Sequence, residues 1–376
     1  MKALPAGYLQ LAACALLVAA GWWYALVVWP EMTKANGYGY WQMGDLHPMW
    51  RAAHQVLVEH RSPYRDDVPL HDRFAYPLLA VFPFAPLALL RYPVAQALAF
   101  WCFLGISVLT TWLWTRVEGA RCTLALCALV LAAFPVIMGI VLRQPAVLFL
   151  FLLALAAWGA KSERYALGGI AAALAAAKPQ LAIAVLAPLL LWTLADWSRR
   201  KLLALAFASS ITLLLAASFA LQPAWFSEWL NAIAVYRTYA NSAPLLSPST
   251  PLIAAIAAAL LAVLWRLRHD LETAIAVSVA GGQLIVPFQA YHLPLLLPAV
   301  LWIWHRRDAF AQRHASCLAY RLGALLLLAA LAASALACVV PLLWKYPALL
   351  FVEFSLLTLL VMATYAVDLL IAPRNR

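Results

Sequence analysis

Residues 44–64 read GDLHPMWRAAHQVLVEHRSPY. They fall within residues 31–76, the one long hydrophilic interval in a chain that is otherwise close to continuous apolar helix. That interval carries six of the fifteen acidic residues (Glu31, Asp45, Glu59, Asp66, Asp67, Asp72) and four of the eight histidines (His47, His54, His60, His71). Carboxylates and imidazoles are common proton-handling groups in enzymes. The stretch also predicts its own local structure. Leu46, Met49, Trp50, Ala53, Val56 and Leu57 make one apolar stripe at helical spacing, with Arg51, His54 and Gln55 opposite. Asp45 stands where an N-cap belongs. An amphipathic helix in a polar loop is therefore expected, held against one face of whatever the remaining residues build.

Those remaining residues are membrane-like. The 376-residue chain is 66% hydrophobic and 11% charged, with mean hydropathy +0.86. A soluble domain is nearer half apolar and a quarter charged, so the reading is an all-α polytopic membrane protein. Seventeen tryptophans suit two interfacial belts. The net charge of +11 is assigned to short inside loops that orient helices, not to nucleic acid. None of the six cysteines lies in residues 31–76, which argues against a disulfide framework, and their spacing suggests no metal site.

The run from Gly7 to Trp29 reads as a first transmembrane helix entering from the cytoplasm. It is long for a signal peptide, and no small-residue cleavage site follows it. Further apolar runs lie at 93–115, 122–141, 145–160, 165–177, 181–197, 202–221, 251–265, 271–286, 293–304, 321–343 and 347–371, about twelve spans in all. With the N-terminus inside, Arg116/Arg121, Lys161/Arg164, Arg199/Arg200/Lys201, Arg266/Arg268, Arg306/Arg307/Arg313/Arg321 and Arg374/Arg376 all fall inside. With Lys2 these are sixteen of the twenty-six basic residues, and the alternation has no exception. Both termini are then cytoplasmic, in a cell (inner) membrane. Residues 76–90 hold Pro77, Pro83 and Pro86 and are too short and broken to span, so a partly inserted hairpin beside a cavity is expected. The second outer loop, 222–250, carries Trp225, Trp229, Tyr236 and Tyr239 and reads as an interfacial helix. Residues 1–376 are treated as one unit.

This topology places the unusual polar residues together. Asp45, Arg143, Gln144, Lys178, Gln180, Tyr291 and His292 all fall at outer-face junctions, several crossings apart in sequence. Arg51, His54, Tyr64 and Tyr76 of the first loop are candidates for lining the same cavity. A charge at the bilayer centre costs roughly 2.5–3.5 kcal/mol even on the lenient insertion scale. At a junction, Lys178 and Arg143 would be stabilised by an anionic partner such as a phosphate. Plainer readings stand beside this. Lys178 and Arg143 read also as snorkelling anchors, His292 as an interfacial histidine bonded to a carbonyl, and Asp45 as a helix cap.

At this point the residues resemble a known family. Gly44-Asp45, Trp50-Arg51-Ala52-Ala53, Ser62-Pro63-Tyr64, Phe74-Ala75-Tyr76-Pro77 and Ala85-Pro86-Leu87 look like the first-loop pattern of glycosyltransferase family 87. Those are polyprenyl-phosphate-mannose-dependent mannosyltransferases of the GT-C superfamily. Ala177-Lys178-Pro179-Gln180 is similar to the family's lysine–proline turn. Arg143-Gln144 resembles its Gly-Gln pair, with arginine where glycine is usual. Pro287 to Pro298 resembles its late proline–histidine segment, with Tyr291 in place of one histidine of a frequent His-His pair. The resemblance implies a GT-C-like fold and an inverting transfer of a sugar, mannose first, on the extracytoplasmic face. The donor would be a polyprenyl-phosphate-linked sugar and the acceptor a glycolipid or glycan. Asp45 would be the general base, with Lys178, His292 and Arg143 holding the donor phosphate. No metal or other cofactor is expected.

Two rivals differ in class. A transporter or flippase should carry ionisable groups near mid-membrane and an internal repeat. No repeat is found, and within the spans only Glu353 is a good buried candidate. A non-catalytic membrane protein that binds lipid or a partner is separated only by an activity assay.

Overall fold

Prolines set where most helices of this chain begin or break, and the breaks are what bring polar residues together. The computed structural model describes residues 19, 44–64, 73–239, 250–285 and 290–306. The expected first span, the two last runs, Glu353 and residues 240–249 of the second outer loop lie outside the described residues. Among those described, the structure is helical with no strand.

Helix α1 (Leu46–Leu57) is the amphipathic helix of the first loop. Its stripe is buried as the spacing predicts: Leu46, Met49, Ala53 and Val56 are each at most 2% exposed. The proline-broken stretch that follows is a 3-10 segment (Leu78–Phe84) running into the short α2 (Ala85–Ala88). It does not span. Trp50 Nε1 donates to Leu87 O (3.0 Å) and Leu90 O (3.1 Å), and His54 Nδ1 donates to Ala88 O at 2.8 Å. These bonds satisfy carbonyls that the broken helix leaves open. Trp50 and His54 stack on each other as well, with centroids 5.1 Å apart.

The long helix α3 (Tyr92–Val117) starts on Pro93 at its first turn, where a missing N–H costs nothing. Residues 122–141, expected as one span, are instead α4 (Leu124–Ala132) and α5 (Phe134–Val141), bent by 69° at their junction. Pro135 explains the break. It lacks the amide that would continue the ladder, and its ring clashes with the preceding turn. Then come α6 (Ala146–Lys161), α7 (Tyr165–Ala175), α8 (Pro179–Ala195), α9 (Trp197–Leu221), α10 (Trp225–Tyr239), α11 (Thr250–Arg266) and α12 (Leu271–Ile285). A second 3-10 segment (Ala290–Leu296) leads into α13 (Leu297–His305). By length and composition, α3 and α9 can each cross a membrane, and the bent pair α4/α5 makes a third candidate. Among the described residues, seven shorter apolar helices or helical stretches accompany them.

Small residues let α7 sit close to its neighbours. A Cβ at Gly169 would lie 2.4 Å from Leu203 O of α9, and one at Gly159 would lie 2.8 Å from the Gly168 backbone. Helices in lipid associate through such close backbone approach, because apolar burial alone gives no drive there. This packing fixes the turn at the end of α7, which ends on Lys178.

The other ends of the helices close in a separate ionic knot. Arg306 Nη1 lies 3.8 Å from Glu118 Oε2, and its Nη2 lies 3.7 Å from Glu272 Oε2. Glu272 also pairs with Lys161. Trp302 Nε1 donates to Thr273 Oγ1 (2.9 Å), which in turn donates to Asp270 Oδ2 (2.6 Å). Glu118, just past α3, is pushed up to about 8 by burial and by the Glu272 charge, with Arg306 opposing. The knot joins the ends of α3, α6, α12 and α13.

Candidate active site

The centre of the opposite end is a clasp between residues 99 positions apart. Gln144 Nε2 donates to Asp45 Oδ2 at 2.5 Å, and the Asp45 amide donates to Leu142 O at 2.9 Å. Both contacts depend on local backbone shape. Gly44 has φ +63°, and a Cβ there would meet Leu142 O at 2.9 Å and Arg143 Nη1 at 3.0 Å. Only glycine takes that position without strain. Arg143 has φ +49°, the left-handed region that glycine adopts freely and other residues seldom do. Its turn aims Gln144 back at Asp45.

Asp45 precedes α1, but its side chain makes no capping bond to the helix. The capping reading fails for that reason. The carboxylate is held instead by Gln144. Gln144 itself is 3% exposed, and its Oε1 has no hydrogen-bond partner among the described residues. A buried amide oxygen left open in this way is a ready acceptor for a hydroxyl.

Lys178 lies in the turn before α8 and is 1% exposed. Its Nζ is 3.5 Å from the Tyr76 hydroxyl and 5.4 Å from the centre of that ring. Burial lowers its ammonium to about 7, while the Asp45 carboxylate acts in the other direction. His292, 4% exposed in the second 3-10 segment, is held well below the ordinary imidazole range by burial and by the Lys178 charge. That shift favours the neutral ring, which offers one donor and one acceptor. Arg143 is half-buried beside Tyr92. One carboxylate, two basic side chains and a neutral imidazole thus converge from four separate junctions.

The first loop supplies the wall. Tyr64 donates its hydroxyl to Tyr76 O at 2.8 Å, and its ring packs against Phe74 with centroids 5.4 Å apart. Tyr64 is raised above the ordinary phenol range by burial and by Glu228. Arg51 is half-buried on α1. His54 serves as a pin between α1 and α2 through its bond to Ala88 O. Gln180 is exposed on the first turn of α8. Tyr291 belongs to the same 3-10 segment as His292, and its side chain lies outside the described residues.

One participant was missed. Helix α10 folds back over the loop: Ser62 donates to Glu228 Oε2 at 2.7 Å and Trp229 Nε1 donates to Ala75 O at 3.2 Å. Seven residues after Trp229, on the same helical face, Tyr236 comes near enough to Asp45 for that charge, after burial, to raise its phenol. The spacing of Trp229 and Tyr236 was available in the sequence, where it suits an interfacial helix equally well.

Comparison with known protein families matches the chain to glycosyltransferase family 87 over residues 74–334. That is more than half of the chain, and the chain belongs to this family. Comparison with curated proteins gives no match. Tyr76, Arg143, Gln144, Lys178, Tyr236 and His292 fall inside the matched region. Asp45 precedes it and is joined to it by the bond to Gln144.

Proposed function

We propose that this membrane glycosyltransferase moves a sugar, mannose first, from a polyprenyl-phosphate donor to a hydroxyl of a glycolipid or glycan, with inversion, on the extracytoplasmic face. The observation that carries the proposal is the clasp of Asp45 by buried Gln144 beside buried Lys178. Asp45 takes the proton from the acceptor hydroxyl as its oxygen bonds to the anomeric carbon. The bond from that carbon to the phosphate oxygen breaks, and polyprenyl phosphate leaves with the electron pair. A positioned base of this kind is worth typically about 10²–10⁴ in rate.

Lys178 and Arg143 supply positive charge for the leaving phosphate, and neutral His292 supplies a hydrogen bond. Such charge is most effective where water is excluded and the donors need no reorganisation. Gln144 orients the Asp45 carboxylate by donating to its Oδ2. The acid–base and charge roles proposed for Asp45, Lys178, Arg143 and His292 require no metal ion. A membrane location suits a donor whose polyprenyl chain gains roughly 0.8 kcal/mol per buried methylene.

The test is Asp45→Asn, which keeps the shape and the Gln144 contact. The variant is expected to fold, to retain the donor lipid and to lose transfer by a factor of about 10²–10⁴. Turnover at the wild-type rate would remove Asp45 from the mechanism.

A further inference from the structure

The ionic knot marks one end of the bundle, and beside it lies a stack that the knot does not use. Arg116 of α3 sits over the Trp112 ring at 5.4 Å. The Trp112 and Trp158 rings are 6.2 Å apart, and Arg164 sits over Trp158 at 4.8 Å. The four side chains form a continuous guanidinium–indole–indole–guanidinium run across α3 and the α6/α7 corner. Both arginines are exposed, and neither pairs with a carboxylate among the described residues. The neighbouring acids are engaged elsewhere: Glu118 with Arg306, and Glu163 with Arg199.

The surface leading to the stack has a matching character. Leu98, Trp101, Leu109, Trp112 and Arg116 recur at helical spacing on α3, and Leu98, Trp101 and Leu109 are exposed apolar side chains on a helix long enough to span. An occupant that follows this stripe is apolar along its length and anionic at its end. A planar guanidinium matches a phosphate bidentately, and an indole face beneath it holds it at headgroup depth.

We infer that the Arg116–Trp112–Trp158–Arg164 stack is a headgroup site for an anionic glycerophospholipid, on the face whose charge bias predicts it to be cytoplasmic. Its acyl chains lie along the α3 stripe. The site is remote from Asp45 and does not depend on the sugar-transfer reading. It gives the enzyme a fixed lipid on the face opposite its chemistry, where anionic lipids are concentrated.

Full-length protein in nanodiscs of phosphatidylcholine containing phosphatidylglycerol, released and weighed by native mass spectrometry, tests this. The wild type is expected to keep phosphatidylglycerol in preference to phosphatidylcholine. The double variant Arg116→Gln/Arg164→Gln should retain it about thirtyfold less well, as expected for two basic residues at an anionic surface. Arg199→Gln, whose partner is Glu163, should behave as wild type. Circular dichroism in phosphatidylcholine alone checks the fold. Should the double variant not fold, Arg164→Lys keeps the charge, removes the planar fork and should still lower retention. Equal retention by the folded arginine variants, or full displacement by inorganic phosphate, would overturn the assignment.

Discussion

The two polar ends of this bundle use the same residue types to opposite effect. At one end Arg306 lies within ion-pair distance of Glu118 and Glu272, and Glu272 pairs in turn with Lys161, so the chain's own charges link the network. At the other end Asp45 and Lys178 sense each other without sharing a hydrogen bond, because Gln144 holds the acid and Tyr76 faces the amine. The closed end holds helices together. The other end sets a buried ammonium, an arginine and an imidazole near a carboxylate, and burial shifts the ammonium and the imidazole from their ordinary ranges. Ionisable groups perturbed in this way are a mark of candidate functional sites.

The contrast is broken most strongly by paired substitutions. Lys178→Met is expected to keep or raise the melting temperature, since it replaces a buried charge with an apolar chain of similar length. It should lower sugar transfer by at least about 100-fold, the effect of removing a buried charge from its partner. Arg306→Met should do the reverse. It leaves Glu118 uncompensated and Glu272 with Lys161 alone, and should cost about 2–3 kcal/mol of stability, below the value for a fully buried pair because Arg306 is 29% exposed. Donor affinity should not change. Thermal unfolding and transfer assays on the wild type and the two variants decide the matter: if both substitutions act on stability alone, the two ends are equivalent.

A pH titration sharpens the comparison. Lys178 titrates at about 7 in the donor-free protein, so it is charged below that pH and neutral above it. The phosphate of a sugar phosphodiester keeps its single charge throughout. Donor affinity should therefore be constant below pH 7 and fall by up to about tenfold per unit above it. Lys178→Arg, charged at all these pH values, should abolish the dependence. A flat profile for the wild type would show that Lys178 does not meet the phosphate.

The smallest expected effect concerns Arg143. Its φ of +49° costs about 1 kcal/mol that glycine would not incur. Arg143→Gly should raise stability by about that amount, read from the melting temperature, while weakening donor binding. The sign of the stability change separates backbone strain from charge.

Much of this layout was legible in the sequence. Period-3.6 spacing marked α1, and the buried face is the one the stripe indicated. Prolines marked the broken segment at 77–86, and alternating basic loops put Asp45, Arg143, Lys178 and His292 on one side. Three things were not legible, for distinct physical reasons. Pro135 bends a run that is apolar throughout, so hydropathy shows one straight span where the backbone makes two short helices. The Asp45–Gln144 bond joins residues 99 apart, and a local rule favoured the cap that Asp45 does not make. The approach of Tyr236 to Asp45 depends on α10 folding over the loop, a tertiary event fixed by Ser62–Glu228 and Trp229–Ala75.

The most direct measurement is a cryo-electron microscopy structure of the Asp45→Asn protein with polyprenyl-phosphate mannose bound. The phosphate is expected between Lys178 and His292, with the sugar between it and residue 45. A donor whose phosphate sits beside Arg306 or Arg116 at the closed end, with the Lys178 region empty, would contradict it.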